Sequence, residues 1–292
     1  MIAGVAIDHR DSLRVMLERR GVGRSTAELR ALKLVLTRAL APAATAVMLD
    51  EELGAHALEA GAIPPTVALI MPLEAQGYEW VEAGSSTTSL LEDFSPAVAL
   101  RYGADACKLL LPYRLDDPMS AAHQDALVAS TAAACHELGL PLVIEPIAYR
   151  RQEETVQEHA DAYLRLVVGA VERLEPLGAD LLKLPFPVPN LTSASERAAV
   201  DACHAMSEAC RNTPWVLLGA GVATDTFVEQ IRLAGMAGAA GFLAGRGIWA
   251  PALDVDPDDA ERVATTMCRR DLERCRSVAE QFARPLDRDR IG

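Results

Sequence analysis

The chain has 292 residues, 50% of them apolar and 24% charged, with a formal net charge of −13. That apolar content excludes a disordered chain, and 19 Gly with 17 Pro scattered along it exclude a coiled coil. The acidic balance argues against nucleic acid as a partner, because phosphate neutralisation needs clustered Lys and Arg, yet it leaves room for a small anion in a locally positive site.

In chain order, eight short apolar runs alternate with helical patterns. Residues 2–8 form the first run, ending at Asp8 with His9 and Arg10 next. The second, 45–50, ends at Asp50, and the third, 67–73, is followed by Glu74. The fourth, 106–113, contains Lys108 and leads to Arg114. The fifth, 142–147, contains Glu145, and the sixth, 181–186, contains Lys183. The seventh, 215–220, runs into Gly219-Ala220-Gly221, and the eighth, 241–246, ends in Gly245-Arg246. Each run is continuous rather than alternating, as in parallel strands buried on both faces. Apolar spacing with charged outer faces predicts helices over 121–138, 157–174, 193–211 and 258–282. Eight such units predict a (β/α)8 TIM barrel, an α/β fold of one domain over 1–292, with 283–292 as a frayed tail. A doubly wound sheet is disfavoured because no GxGxxG follows the first run.

No apolar run approaches the ~20 residues of a membrane span. Residues 1–10 carry no secretory pattern, so a cytoplasmic protein without a membrane partner is expected. The six cysteines show no CxxC and no zinc-ligand spacing, so they are expected to be reduced and to serve packing. No metal or other cofactor is implied.

Lysine usage is anomalous. Only three of the 28 basic residues are Lys, namely Lys33, Lys108 and Lys183. An amine can lose its proton and attack a carbonyl, which a guanidinium cannot. Lys33 lies in a helical pattern and is read as incidental. Lys108 and Lys183 each close a G-A-D-x-x-K hexapeptide, at 103–108 and 178–183, two units apart. Alternate barrel strands feed the same interior layers, so the two amines are expected to face one another.

Chemistry in such barrels sits at the C-terminal mouth. An ionisable group inside a buried apolar run is costly unless paired, and Lys108, Glu145 and Lys183 interrupt three consecutive runs. A neighbouring cation and burial would favour a free amine on one lysine, with Glu145 as proton shuttle or counter-ion. Asp8, His9 and Asp50 end strands at the mouth. Gly219, Gly221 and Gly245 can present backbone N–H groups to an anion, with Arg246 adding a charged fork. Those glycines could also serve tight turns alone. Three readings stay open from the residues: a Schiff-base lyase, a non-covalent sugar-phosphate isomerase or epimerase using Glu145 as base, and a regulatory barrel that binds a sugar phosphate.

The segments Ala6-Ile7-Asp8-His9-Arg10, GADACK with LLLPYR following, Val143-Ile144-Glu145-Pro146, Leu182-Lys183, Pro214-Trp215-Val216-Leu217 and Gly241-Phe242-Leu243-Ala244-Gly245-Arg246 resemble one family. It is that of the class I aldolases that include tagatose-1,6-bisphosphate aldolase and 6-deoxy-6-sulfofructose-1-phosphate aldolase. The likeness covers nearly the whole chain and is strongest over 214–249. There and at 108–114 it is closer to the sulfosugar branch.

The resemblance implies a metal-free barrel that cleaves a ketose phosphate to dihydroxyacetone phosphate and a three-carbon aldehyde. It implies Lys183 as the Schiff-base lysine, Glu145 as acid/base and Lys108 as supporting cation. Asp8, His9, Asp50 and Arg114 are assigned to substrate, and Gly219, Gly221, Gly245 and Arg246 to an anionic end. A homo-oligomer is expected. Two positions depart from the family pattern: Gly219 replaces a serine, and Pro185 replaces an acidic residue two after the lysine.

Overall fold

The computed structural model describes residues 1–286 apart from 22, 76–78, 82–84, 190, 192–194 and 212. Its eight barrel strands are Ile2–Ala6, Ala46–Met48, Ala68–Pro72, Ala106–Pro112, Leu142–Ile147, Leu181–Leu184, Trp215–Leu218 and Gly241–Ala244. Each lies parallel to the next in sequence, and the first pairs with the eighth, closing a barrel. All eight expected runs are strands. The fifth ends where expected and the other seven stop one or two residues short at the mouth, because the chain there turns into loops carrying polar groups.

Two apolar layers hold this architecture. Inside the barrel, Ala6, Met48, Ile70, Val143, Leu181, Val216 and Leu243 pack on one another. Outside it, the alternate strand residues, such as Val5, Val47, Leu109, Ile144, Leu182 and Leu217, pack against the helices. Burial on both faces explains why the runs read as continuous.

Helices fill the connections. Pro118–His136, Val156–Leu174, Glu196–Ala209 and Thr224–Met236 follow strands four to seven. Thr155 and Glu158 form a capping box at the start of the second of these. The expected helix over 258–282 is Pro257–Val263 and Arg269–Phe282, joined through a π-helical turn at Ala264–Cys268. An antiparallel hairpin of Glu79–Val81 with Ser85–Thr87 follows strand three and was not foreseen. Part of the supposed tail is anchored: Arg284 N–H donates to the Ala239 carbonyl at 2.9 Å, and Leu286 packs under the barrel interior. Residues 287–292 lie outside the described residues.

The G-A-D-x-x-K echo has a structural half. Gly103 and Gly178 take left-handed φ of 83° and 106°, turning the chain into strands four and six. The aspartates that follow bridge back to the preceding strand: Asp105 accepts from Leu69 N–H at 2.8 Å, and Asp180 from Leu142 N–H at 2.7 Å. The same turn thus sets the height of both lysines, three residues further on.

Candidate active site

Lys108 pairs in register with Val143, and Val143 with Leu181, so Lys183 stands two positions further along its strand. Following the registers around the barrel returns to the first strand displaced by eight residues. That is the shear of a (β/α)8 barrel, one residue per strand. An offset of two across two strands therefore places both lysines at one level. They face one another, as their spacing implied.

Between them stands Glu145. Its Oε2 lies 2.9 Å from Lys183 Nζ and 3.3 Å from Lys108 Nζ. The two amines are not equivalent. Lys108 also meets Asp8 at 3.0 Å and Glu74 at 2.5 Å, so three carboxylates surround it. Burial alone would lower its pKa, but the carboxylates prevail and hold it well above the ordinary lysine value. Lys183 has one carboxylate partner, Glu145, with the Met48 thioether at 3.7 Å. All five ionisable groups are buried. Burial raises Asp8, yet the charges of Lys108, His9 and Lys183 outweigh it, so Asp8 stays ionised well below the usual carboxylate range. Glu74 goes the other way: burial raises its pKa more than Lys108 lowers it.

His9 follows Asp8 and lies edge-on to Trp249, ring centroids 5.1 Å apart. Trp249 is itself fixed by Nε1–H donating to the Ala6 carbonyl at 2.9 Å. Burial lowers the His9 pKa to about 3 despite Asp8, with Arg246 and Lys183 adding to the effect, so its ring is neutral near pH 7. Its Nδ1 is buried, faces the Asp8 carboxylate at 3.7 Å and has no hydrogen-bond partner among the described residues.

Strands seven and eight build a different wall. Gly219, Val222, Thr224, Gly245 and Gly247 line one small cleft, and Gly221 turns the chain between them. Backbones approach closely here. A Cβ on Gly219 would sit 3.2 Å from the Gly245 nitrogen, and one on Gly247 would collide with the Val222 carbonyl. A serine at 219 therefore requires the eighth-strand loop to yield by a few tenths of an ångström. The helix Thr224–Met236 opens beside the cleft with Ala223 as N-cap, so no side chain caps its first N–H groups. Arg246 is exposed and makes no hydrogen bond or ion pair with the described residues, although its charge is felt at His9.

Two expected substrate contacts are otherwise engaged. Asp50 is fully buried: one oxygen pairs with Lys33 and the other caps Leu53 N–H at 2.8 Å, opening the helix Glu51–Glu59. Its signal was in the sequence, since Asp-Glu-Glu-Leu is an N-cap pattern. Lys33, read as incidental, is that aspartate's buried counter-ion. Arg114 forks onto Asp116 at 2.8 Å through two nitrogens and onto Glu154 at 2.6 and 2.7 Å, and donates to the Tyr149 carbonyl. It ties the loops after strands four and five together and has no capacity left for an anion. Glu74 was omitted from the expected site and belongs with it. Its place directly after strand three was the available signal.

The fold and this mouth define a class: a (β/α)8 lyase, an aldolase. The chain belongs to the DeoC/LacD family of aldolases, whose model matches residues 2–251. It is 29% identical over 265 residues to tagatose 1,6-diphosphate aldolase 2 of Enterococcus faecalis, covering 85% of this chain and 79% of that one. Against tagatose 1,6-diphosphate aldolase of Listeria monocytogenes it is 28% identical over 281 residues, covering 90% and 82%. Among solved structures, fructose-bisphosphate aldolase of Plasmodium falciparum shares the fold with a TM-score of 0.71 at 13% identity, over 98% of this chain and 93% of that one. A Schiff-base-forming fructose-1,6-bisphosphate aldolase does so with 0.55 at 19%, over 86% and 82%. The isomerase and regulator readings give way to the aldolase family. Among the described residues no helix is long and apolar enough to cross a membrane.

Proposed function

We propose that this aldolase is of class I and cleaves a ketose 1-phosphate between C3 and C4, releasing dihydroxyacetone phosphate and an aldehyde, with Lys183 as the Schiff-base nucleophile. The observation that carries the reading is the asymmetry around Glu145. Lys108 is locked as an ammonium by three carboxylates, whereas Lys183 has one partner, and that partner can take its proton. The aldolase relatives and the likeness to Schiff-base aldolases support it.

The steps follow from the positions. Lys183 Nζ adds to C2, and the carbinolamine oxygen leaves as water once protonated, giving an iminium. Glu145 as carboxylate takes the C4 hydroxyl proton. The C3–C4 electron pair moves into the iminium, which becomes an enamine, and the aldehyde departs. Glu145 returns the proton to C3, and hydrolysis frees dihydroxyacetone phosphate and Lys183. Lys108 keeps a fixed positive charge beside these transfers, an electrostatic contribution that needs no reorganisation. Asp8 and His9 contact substrate hydroxyls. The C1 phosphate lies at the amides around Gly219, Gly221 and Gly245 with Arg246 as its charged partner, because strand seven flanks strand six on the side away from Glu145.

Borohydride added with substrate tests the reading. It should inactivate the enzyme irreversibly, while chelators leave turnover unchanged. Turnover that survives borohydride with no adduct formed contradicts it.

A further inference from the structure

His9 stands where the lysine cluster meets the glycine cleft. Its Nδ1 is enclosed beside the Asp8 carboxylate, at 3.7 Å too far for a hydrogen bond. The side chain as a whole is 18% exposed, so its open edge lies away from Nδ1. Trp249 holds the ring edge-on from one side. On another, a Cβ on Gly245 would lie 3.4 Å from His9 Cε1 and 3.8 Å from Nε2. The Cε1–Nε2 edge therefore runs along a glycine that lines the cleft. Nε2 has no hydrogen-bond partner among the described residues.

Several charges act on this ring. Asp8 and Arg10 flank it in the chain, Arg246 comes from the loop after strand eight and Lys183 from strand six. Lys33 acts from the helix Thr26–Leu40, where Asp50 pairs with it. Asp8 favours a proton on the ring, while burial, Arg246, Lys183 and Lys33 oppose one and leave it neutral.

The ionised Asp8 also selects the tautomer. A carboxylate facing Nδ1 favours the proton there, which leaves Nε2 as a bare acceptor at the edge of the cleft. A dianion offers only lone pairs, so it is repelled by bare Nε2. A second proton, on Nε2, turns that repulsion into a charge-assisted hydrogen bond. The anion also offsets the Arg246 charge that opposes protonation. Anion and proton therefore favour one another, and the coupling is reciprocal.

Resting on the reading that strands seven and eight hold the anionic end, and going beyond the hydroxyl contact given to His9 above, we infer that His9 Nε2 is a further ligand of this site and that a phosphate or sulfate dianion enters it together with one proton taken up by His9.

Inorganic sulfate tests this on the native enzyme, because it has no proton to lose near neutral pH and any proton taken up must go to the protein. Titration calorimetry in two buffers of different ionisation enthalpy counts those protons. With His9 restored in the complex to its ordinary value of 6.5 or above, sulfate affinity should rise about tenfold or more from pH ~8 to pH ~5.5. Uptake should approach one proton per sulfate at the lower pH. His9→Gln and His9→Asn, each checked by circular dichroism, should bind sulfate with an affinity that changes less than about twofold over that range. Arg246→Ala should weaken sulfate at both ends of it. A parent that takes up no proton and shows no pH dependence, or variants of His9 that keep the dependence, overturn the inference and leave the anion pole standing. Sulfate that fails to bind the parent, or binds Arg246→Ala equally well, overturns the pole and the inference with it.

Discussion

Strands four to six and strands seven to eight build opposite kinds of site. In the first region every ionisable group is buried and held by another, with Glu145 bonded to two lysines at once. In the second, close-packed glycines leave backbone N–H groups and one exposed arginine. Buried, interlocked charges suit proton and electron movement, because each group's protonation is set by its neighbours. An open, exposed cation suits binding, because it can leave water for an anion without breaking an existing pair. Substitutions should therefore affect kcat in the first region and KM in the second.

The largest effect belongs to Lys183. Lys183→Met should lower kcat by about 10⁴-fold or more, the range for losing a covalent group, with the fold intact by circular dichroism. Glu145→Gln should come next, with kcat reduced roughly 10²–10⁴-fold and KM within a few-fold. If that variant turns over normally per folded molecule, Glu145 is only a counter-ion. Arg246→Ala crosses to the other region and should raise KM by about 10- to 150-fold, the value of a charge-assisted pair, with kcat little changed. Inorganic phosphate should compete with substrate in the parent and lose that competition in the variant.

Outside both regions, Arg114→Ala should lower thermal stability by about 1–3 kcal/mol through its lost charged hydrogen bonds, yet leave kcat/KM of the folded enzyme within a few-fold. A selective rise in KM would restore Arg114 to the substrate. The last effect is confined to acid. His9 has a folded pKa of about 3 against 6.5 unfolded, so the unfolded chain binds the extra proton between these values. Stability from keeping His9 neutral is fully present above pH ~6.5 and declines as pH falls toward 3. His9→Gln should flatten the urea-midpoint profile across that window. An unchanged slope would show that His9 protonates freely in the folded state.

The same contrast explains what the sequence disclosed. Strand count and the height of Lys108 and Lys183 were legible because burial on both faces writes continuous apolar runs and because the Gly-Ala-Asp turn repeats. Charges at strand ends were less legible. Asp8 and Asp50 end adjacent strands alike, but one joins Lys108, a hundred residues on, and the other is taken by Lys33 from the helix just before its own strand. Arg114 was misplaced for the same reason, since Glu154, forty residues on, is what claims it. Nothing local in a sequence names a partner across the fold. Gly219 was legible as a turn but not as a contact with Gly245, because close approach of two backbones leaves no mark on either segment.

Which lysine forms the covalent link decides the account of the mouth. Reduction with borohydride in the presence of a ketose 1-phosphate, followed by proteolysis and mass spectrometry, reads this directly. The asymmetry around Glu145 predicts a single adduct on the peptide carrying Lys183, with the Lys108 peptide unmodified. An adduct on Lys108 would contradict it, since the amine held by three carboxylates would then be the nucleophile.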